Sequence, residues 1–354
     1  MKELTMMCFW RIIKAKTKYK IRQERKSCMD KIPLANLPTP IQKMDYCSLC
    51  YNKNLYIKRD DLTGLELSGN KIRKLEYVLA DAIQSHHDTI ITVGAIQSNH
   101  CRATAAACAR LDLDCHLILT EKESYHHEGN YMLDYLLGAH VHLIPTGGDL
   151  YQEMEALKAK LHDQGRYPYL IPVGASNPIG SLGYRDAYQE IIQQETALGI
   201  TFDTIALAVG SGGTYAGLWY ENKQAAEPKN IIGFSVSSSA EKFTQAIQDI
   251  VVGMDYQDQD FSSIQINDHY IGQGYSIAQE SEIEFYVDIM QNEGILLDPC
   301  YSGKAFYGLV NEIKQERLAE AENILFIHTG GVFGWTKEDR ELASKIAYEK
   351  INNF

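Results

Sequence analysis

From residue 89 onward, short apolar runs alternate with stretches whose apolar positions recur at helical spacing. The runs are "TIITVG" (89–94), "CHLILT" (115–120), "HVHLIP" (140–145), "YLIPVG" (169–174), "TIALAVG" (204–210), "NIIGFSV" (230–236) and "NILFIHTG" (323–330). Segments of helical length lie between most of them, at 98–111, 149–164, 180–197 and 214–225. The pattern predicts β-α-β units and an α/β fold with mostly parallel sheets. Several runs end in Gly, Ser or Thr just before a helix begins. In open α/β sheets, ligands sit beyond those carboxyl ends. No internal repeat and no low-complexity linker breaks the chain, so any domain division is made by the chain crossing over.

Ahead of this region, "LSGNKIRKLEYVLADA" (67–82) places Lys71 after three small residues and before Ile72, Leu75, Val78 and Leu79, which share one helix face. A lysine is poorly suited to a helix start, where the positive end of the dipole disfavours a cation. Either Lys71 is a solvated first-turn residue, or its amine is bound to something.

The chain of 354 residues has room for two domains, and its composition, 45% hydrophobic and 23% charged, is that of an ordinary globular protein. No stretch approaches 18 consecutive apolar residues, so no membrane partner is expected. The net charge of −12 argues against nucleic acid as a partner. Residues 1–31 depart from this balance, with 10 basic and 3 acidic residues. They lack the apolar core of a secretory signal. They are read as a basic N-terminal extension outside the fold: a disordered tail, a start codon placed too early, or an organelle-targeting segment. The eight cysteines are too sparse for a disulfide scaffold. Cys47 and Cys50 form a lone C-x-x-C without the second pair that a zinc site requires, and no metal is expected.

"TIALAVGSGGTYAGLW" carries the strongest chemical signal. A strand runs into Gly210, Ser211, Gly212, Gly213 and Thr214, and a helix follows. Glycines let backbone N–H groups converge on an anion, and the helix N-terminus adds its dipole. The Lys-Ser/Thr ending of a Walker loop is absent, and Tyr215 stands where G-x-G-x-x-G needs glycine. A small monophosphate fits better than a nucleotide; a turn that needs glycine for its angles alone is the alternative. Other polar turns precede helices: Gln97, Ser98, Asn99 and His100; Tyr301 and Ser302; and, after the last strand, His328 and Thr329. Tyr275 lies in a further loop, "GQGYSIAQ". A lysine at a loop-to-helix junction together with a monophosphate cradle points to pyridoxal phosphate, whose aldehyde condenses with a lysine amine.

"IKRDDLTGLELSGNKIRKLEYVLADA", "GAIQSNHCRATAAACARL", "VGSGGTYAGL", "LLDPCYSGKA" and "HTGG" together resemble the D-cysteine desulfhydrase and 1-aminocyclopropane-1-carboxylate deaminase family, from about Ile32 to the C-terminus. The resemblance implies fold type II: two open, twisted, mostly parallel α/β domains with pyridoxal 5'-phosphate in the interdomain cleft. Residues 32–74 and 186–354 would form the large domain and 75–185 a small inserted one. It implies Lys71 as the cofactor-binding lysine and the base. Asn99 would face the cofactor's 3'-oxygen, with Gln97 and Ser98 at the substrate carboxylate. Gly210, Ser211, Gly212, Gly213 and Thr214 would grip the phosphate. Tyr275 and Tyr301 would flank the substrate, and Ser302 and Thr329 would lie near the pyridine nitrogen. The deaminase branch typically has Glu and Leu at those last two positions. A hydroxyl pair suits expulsion of a thiolate, already a good leaving group with a pKa of about 8.5. The reading is therefore a cytoplasmic, homodimeric lyase that takes a small amino acid, D-cysteine, to pyruvate, hydrogen sulfide and ammonia. Elimination from L-cysteate, β-chloro-D-alanine or D-serine, and deamination of the cyclopropane, are the enzymatic alternatives. A non-catalytic protein that binds a phosphorylated ligand is the other; it has no need of Lys71 with Ser98, Tyr275 and Tyr301.

Overall fold

The structure is a computed structural model that describes residues 31–121 and 128–352; residues 1–30 of the basic N-terminal segment lie outside the described residues. These contain ten strands: β1 (Ile41–Lys43), β2 (Asn54–Lys58), β3 (Thr89–Ala95), β4 (Asp114–Glu121), β5 (His140–Pro145), β6 (Pro168–Ile171), β7 (Thr204–Val209), β8 (Asn230–Ser235), β9 (Gln265–Asn267) and β10 (Asn323–Ile327). They build two sheets, of order β1-β2-β10-β7-β8-β9 and β5-β4-β3-β6. Every pairing is parallel except that of β1 with β2. All seven apolar runs of the sequence analysis become strands, and the four helical segments become helices 99–111, 150–163, 178–198 and 213–222. Strands β1, β2 and β9 are additional; β1 and β9 have only three residues each, and β2 is set by its pairing with β10. "YLIPVG" stops at Ile171, because Pro172 removes a ladder donor and Gly174 turns the chain at φ 68°.

The central strand β7 shows why a continuous apolar run belongs in the middle of a parallel sheet. Ala206 and Ala208 face Phe306 and Leu309 of the helix Ser302–Lys314, and their small side chains make room for that aromatic layer. Ile205, Leu207 and Val209 face Tyr215 and Trp219 of the helix Gly213–Asn222 on the other side. Tyr215 is therefore a core residue, and its hydroxyl donates to the Ile231 carbonyl at 2.9 Å. In the four-stranded sheet, the Ala-rich helix Asn99–Leu111 covers one face and the helix Leu150–Asp163 the other.

The stretch leading to Lys71 is held by a buried ion network. Asp60 accepts from Arg73 Nε at 3.0 Å, Thr39 Oγ1 at 2.7 Å and Tyr184 Oη at 2.5 Å. Arg73 also pairs with Glu190, as does Lys58. Burial opposes ionisation of Asp60, but the Arg73 and Lys58 charges outweigh it and lower its pKa. The network ties the loop before Lys71 to the helix Pro178–Leu198. Among the described residues, no helix is long and apolar enough to cross a membrane.

Candidate active site

Lys71 opens the helix Lys71–Gln84, so its side chain leaves the fold where the loop "LSGN" ends. That loop is clamped from behind. The Asn70 N–H donates to the Thr329 carbonyl at 3.1 Å, and a Cβ on Gly69 would come within 2.8 Å of the same oxygen. Gly69 also has φ +98°, which favours glycine there. His328 steadies the opposite side: Nδ1 accepts from the Gly330 N–H and Nε2 donates to the Leu296 carbonyl.

One cavity is lined by Lys71, Ser98, Gly210, Ser211, Gly212, Thr214, Tyr275, Tyr301 and Thr329. Residues far apart in the chain thus converge as their motifs imply. Lys71 Nζ donates to Asn70 Oδ1 at 2.8 Å and lies 5.7 Å from the centre of the Tyr301 ring. Burial lowers its pKa to about 8, while Cys300 and Asp298 oppose the shift. The neutral form that burial favours suits a helix start better than a cation does. Tyr275 and Tyr301 share a hydrogen bond between their hydroxyls, and burial raises both phenol pKa values.

The glycine loop reaches the cavity through a close approach. A Cβ on Gly213 would lie 2.7 Å from Ser176 Oγ, and the Gly213 N–H donates to that oxygen at 3.2 Å. Ser211 Oγ lies 2.8 Å from Ser176 Oγ, and Lys74 Nζ donates to Ser176 Oγ at 3.1 Å. Thr214 Oγ1 accepts from Asn70 Nδ2 at 2.9 Å, which links this loop to Lys71. Lys74 is fully buried, and burial, with Lys71 second, pushes its pKa well down. Hydroxyls, a helix N-terminus and a buried amine form a donor set that fits a phosphate. A buried amine with an unfavourable charge gains most from an anion placed beside it.

Three residues around this loop belong to none of the roles read from the sequence: Asn70, which lines the cavity, and Lys74 and Ser176, which stand behind its lining. Lys74 had a readable signal, since it stands three residues after Lys71 on the same helix face. Ser176 had none, because its role depends on a turn from the other sheet.

Other residues are placed differently from one another. Ser98 caps the helix Asn99–Leu111, accepting from the Cys101 N–H at 3.2 Å. Asn99 and Gln97 line an adjoining cavity with Tyr275, Cys300 and Tyr301. The Gln97 amide is turned away to bind the Asn130 N–H at 2.8 Å and the Glu128 carbonyl at 3.1 Å. Thr329 reaches the main cavity. Ser302 does not: it is fully buried, and its hydroxyl donates to Asp298 Oδ1 at 2.5 Å. Asp298 in turn accepts from the N–H groups of Cys300, Tyr301 and Ser302, capping the helix that follows.

A sequence model described as pyridoxal-phosphate dependent enzyme matches residues 32–330. A bifunctional D-cysteine desulfhydrase/1-aminocyclopropane-1-carboxylate deaminase, mitochondrial, of Arabidopsis thaliana is 42% identical over 325 residues, 88% of this chain and 80% of that protein. A D-cysteine desulfhydrase of Serratia proteamaculans is 36% identical, over 87% of this chain and 96% of its own length. The crystal structure of a 1-aminocyclopropane-1-carboxylate deaminase homologue superposes with a TM-score of 0.81 at 36% identity, covering 91% of this chain and 98% of that one. A threonine deaminase of Solanum lycopersicum, 17% identical with a TM-score of 0.64, shares the fold.

Proposed function

This chain belongs to the pyridoxal-phosphate dependent enzyme family, and from that premise we propose that it eliminates sulfide from D-cysteine to give pyruvate, hydrogen sulfide and ammonia. It is a pyridoxal-phosphate-dependent lyase of fold type II. The cofactor, when bound, supplies an aldehyde that captures amines and a ring that takes up the electron pair left at the substrate α-carbon.

The residues divide the remaining work. Lys71 Nζ anchors the cofactor and is the base for the α-proton, a task suited to an amine of pKa about 8. Gly210, Ser211, Gly212 and Thr214, which line the cavity, would hold the phosphate, with Ser176 and Lys74 supporting the loop from behind. Ser98 and the start of its helix receive the substrate carboxylate. The tyrosine pair holds one proton between its two oxygens and has one left to donate to the departing sulfur. Asn99, from the adjoining cavity, would donate to the cofactor's 3'-oxygen, and the Thr329 hydroxyl, rather than that of Ser302, would be available to the ring nitrogen.

One observation carries the choice of reaction. Among the described residues lining the cavity there is no aspartate or glutamate. The nearby Asp298 is occupied as a helix cap. Without a carboxylate to keep the ring nitrogen protonated, the ring is a modest electron sink. That suffices to expel a thiolate and is poorly matched to opening a carbocycle that has no leaving group. A second activity on the cyclopropane is favoured by the Arabidopsis relative, whose name carries both. Two sheets of separate strand order support residues 75–185 as the small domain. A cytoplasmic homodimer completes the proposal. The test is release of sulfide, pyruvate and ammonia from D-cysteine, L-cysteine, D-serine, β-chloro-D-alanine, L-cysteate and the cyclopropane. D-Cysteine is expected to lead; a faster turnover of any other substrate overturns the assignment.

A further inference from the structure

Asn130, near the start of the helix Gly129–Leu136, belongs to none of the motifs and is fully buried. Its side chain has three hydrogen-bond partners. Oδ1 accepts from Arg102 Nε at 2.8 Å; Nδ2 donates to the Gln97 carbonyl at 2.8 Å and to Asn99 Oδ1 at 2.9 Å. The two ends of an amide look alike in size, so their orientation follows from the network. Here Arg102 decides it. A guanidinium only donates, so the Asn130 oxygen must face Arg102 and its NH2 must face Asn99. Asn99 must then turn its own oxygen toward Asn130. Arg102 is itself fixed, since Nη1 donates to the Glu66 carbonyl and Nη2 to the Ser68 carbonyl at 3.0 Å. The polarity runs in one direction, from Arg102 through Asn130 to Asn99, and leaves the Asn99 NH2 for the adjoining cavity, which shares Tyr275 and Tyr301 with that of Lys71.

We propose that Asn130 is a positioning residue: relayed from Arg102, it locks the Asn99 amide so that only a hydrogen-bond donor is offered to the oxygen on the cofactor ring. The inference rests on the proposed role of Asn99. It accounts for a buried polar cluster that packing alone does not require, and it explains how an amide that can flip presents one face. A donor at that oxygen stabilises the deprotonated form of the bound chromophore, so losing it weakens binding and raises the pH at which the visible band titrates.

The experiment is a double-mutant cycle on the full chain. Asn130→Asp keeps size and shape and still accepts from Arg102, but it cannot donate to Asn99. Pyridoxal phosphate is titrated into stripped protein by fluorescence quenching, the visible band is followed against pH, and melting of the cofactor-free protein is recorded. Asn130→Asp is expected to weaken cofactor binding about tenfold, the worth of one hydrogen bond, and to shift the titration upward. Asn99→Leu should do the same, and the double variant should do no more than Asn99→Leu alone. An Asn99→Leu variant without effect refutes the assignment of Asn99 and the relay with it. An effect of Asn99→Leu with none of Asn130→Asp, or with additive losses in the double variant, overturns the relay alone. Should Asn130→Asp fail to fold, Asn130→Ser, which retains a donor but is too short to reach Asn99, takes its place with the same expected and refuting results.

Discussion

The lowered pKa of Lys71 makes a prediction that pH alone can test. An ordinary lysine amine, at 10.5, is neutral in about one molecule in three thousand at pH 7. At a pKa of about 8 the fraction is about one in ten, roughly 300-fold more nucleophile. Only the neutral amine attacks an aldehyde. Covalent capture of pyridoxal phosphate by the stripped protein should therefore accelerate about tenfold per pH unit below 8 and level off above it. Burial is the cause, so the same group carries a stability signature. Its pKa is lower folded than unfolded, so the unfolded chain binds more protons between about 8 and 10.5. Stability of the cofactor-free protein should then rise with pH across that window, by up to about 3 kcal/mol, and the gain should be absent below it. Stopped-flow growth of the visible band, measured from pH 6.5 to 10.5 with Lys71→Ala as the blank, supplies the rates. A rate that keeps climbing past pH 9.5 would mean that Lys71 titrates like a solvated lysine, and would refute both the burial account and its role as a base near neutral pH.

Tyr301→Phe removes one member of the phenol pair while leaving the fold intact; elimination should slow about 100-fold, the lower range for a general acid, and unchanged turnover would free the pair from proton delivery. Asp60→Ala removes one of the two carboxylates that face the buried Arg73, leaving Glu190 as its partner, and should cost about 1–3 kcal/mol in urea unfolding; a loss below about 0.5 kcal/mol would show that Asp60 is not what holds the Lys71 loop. Lys74→Met should weaken binding of pyridoxal phosphate by at least tenfold while leaving binding of pyridoxal, which has no phosphate, nearly unchanged, as read by equilibrium dialysis; equal losses for both would remove Lys74 from the phosphate cradle.

The long strands and the glycine loop were legible because each is written locally. An apolar run such as "TIALAV" is a strand core whatever surrounds it, and "GSGG" before a helix can do little but approach an anion or turn. Strands β1, β2 and β9 were not legible, since each is fixed by a neighbour: β2 pairs with β10, which lies more than 260 residues away. The site divides in the same way. Lys71, Ser98, Tyr301 and Thr329 stand at strand or helix ends and reach the cavity that the motifs imply. Ser302 shares their motif, yet its hydroxyl turns to Asp298, because a helix start with three exposed N–H groups draws that carboxylate in and the serine with it. Gln97 likewise turns to Asn130. Ser176 and Asn130 acquire roles only when two helices or a turn and a loop meet, and no spacing in the chain announces them.

Lys71, partly buried, and Lys74, fully buried, stand three residues apart on one helix, the first placed for the aldehyde and the second for the phosphate. The most direct test is reduction of the cofactor-loaded protein with borohydride, followed by proteolysis and mass spectrometry of the labelled peptide. The phosphopyridoxyl mass is expected on Lys71 alone, with loss of the visible band and of sulfide release from D-cysteine in parallel. Label on Lys74, or a reduced protein that keeps its activity with Lys71 unmodified, would contradict that assignment.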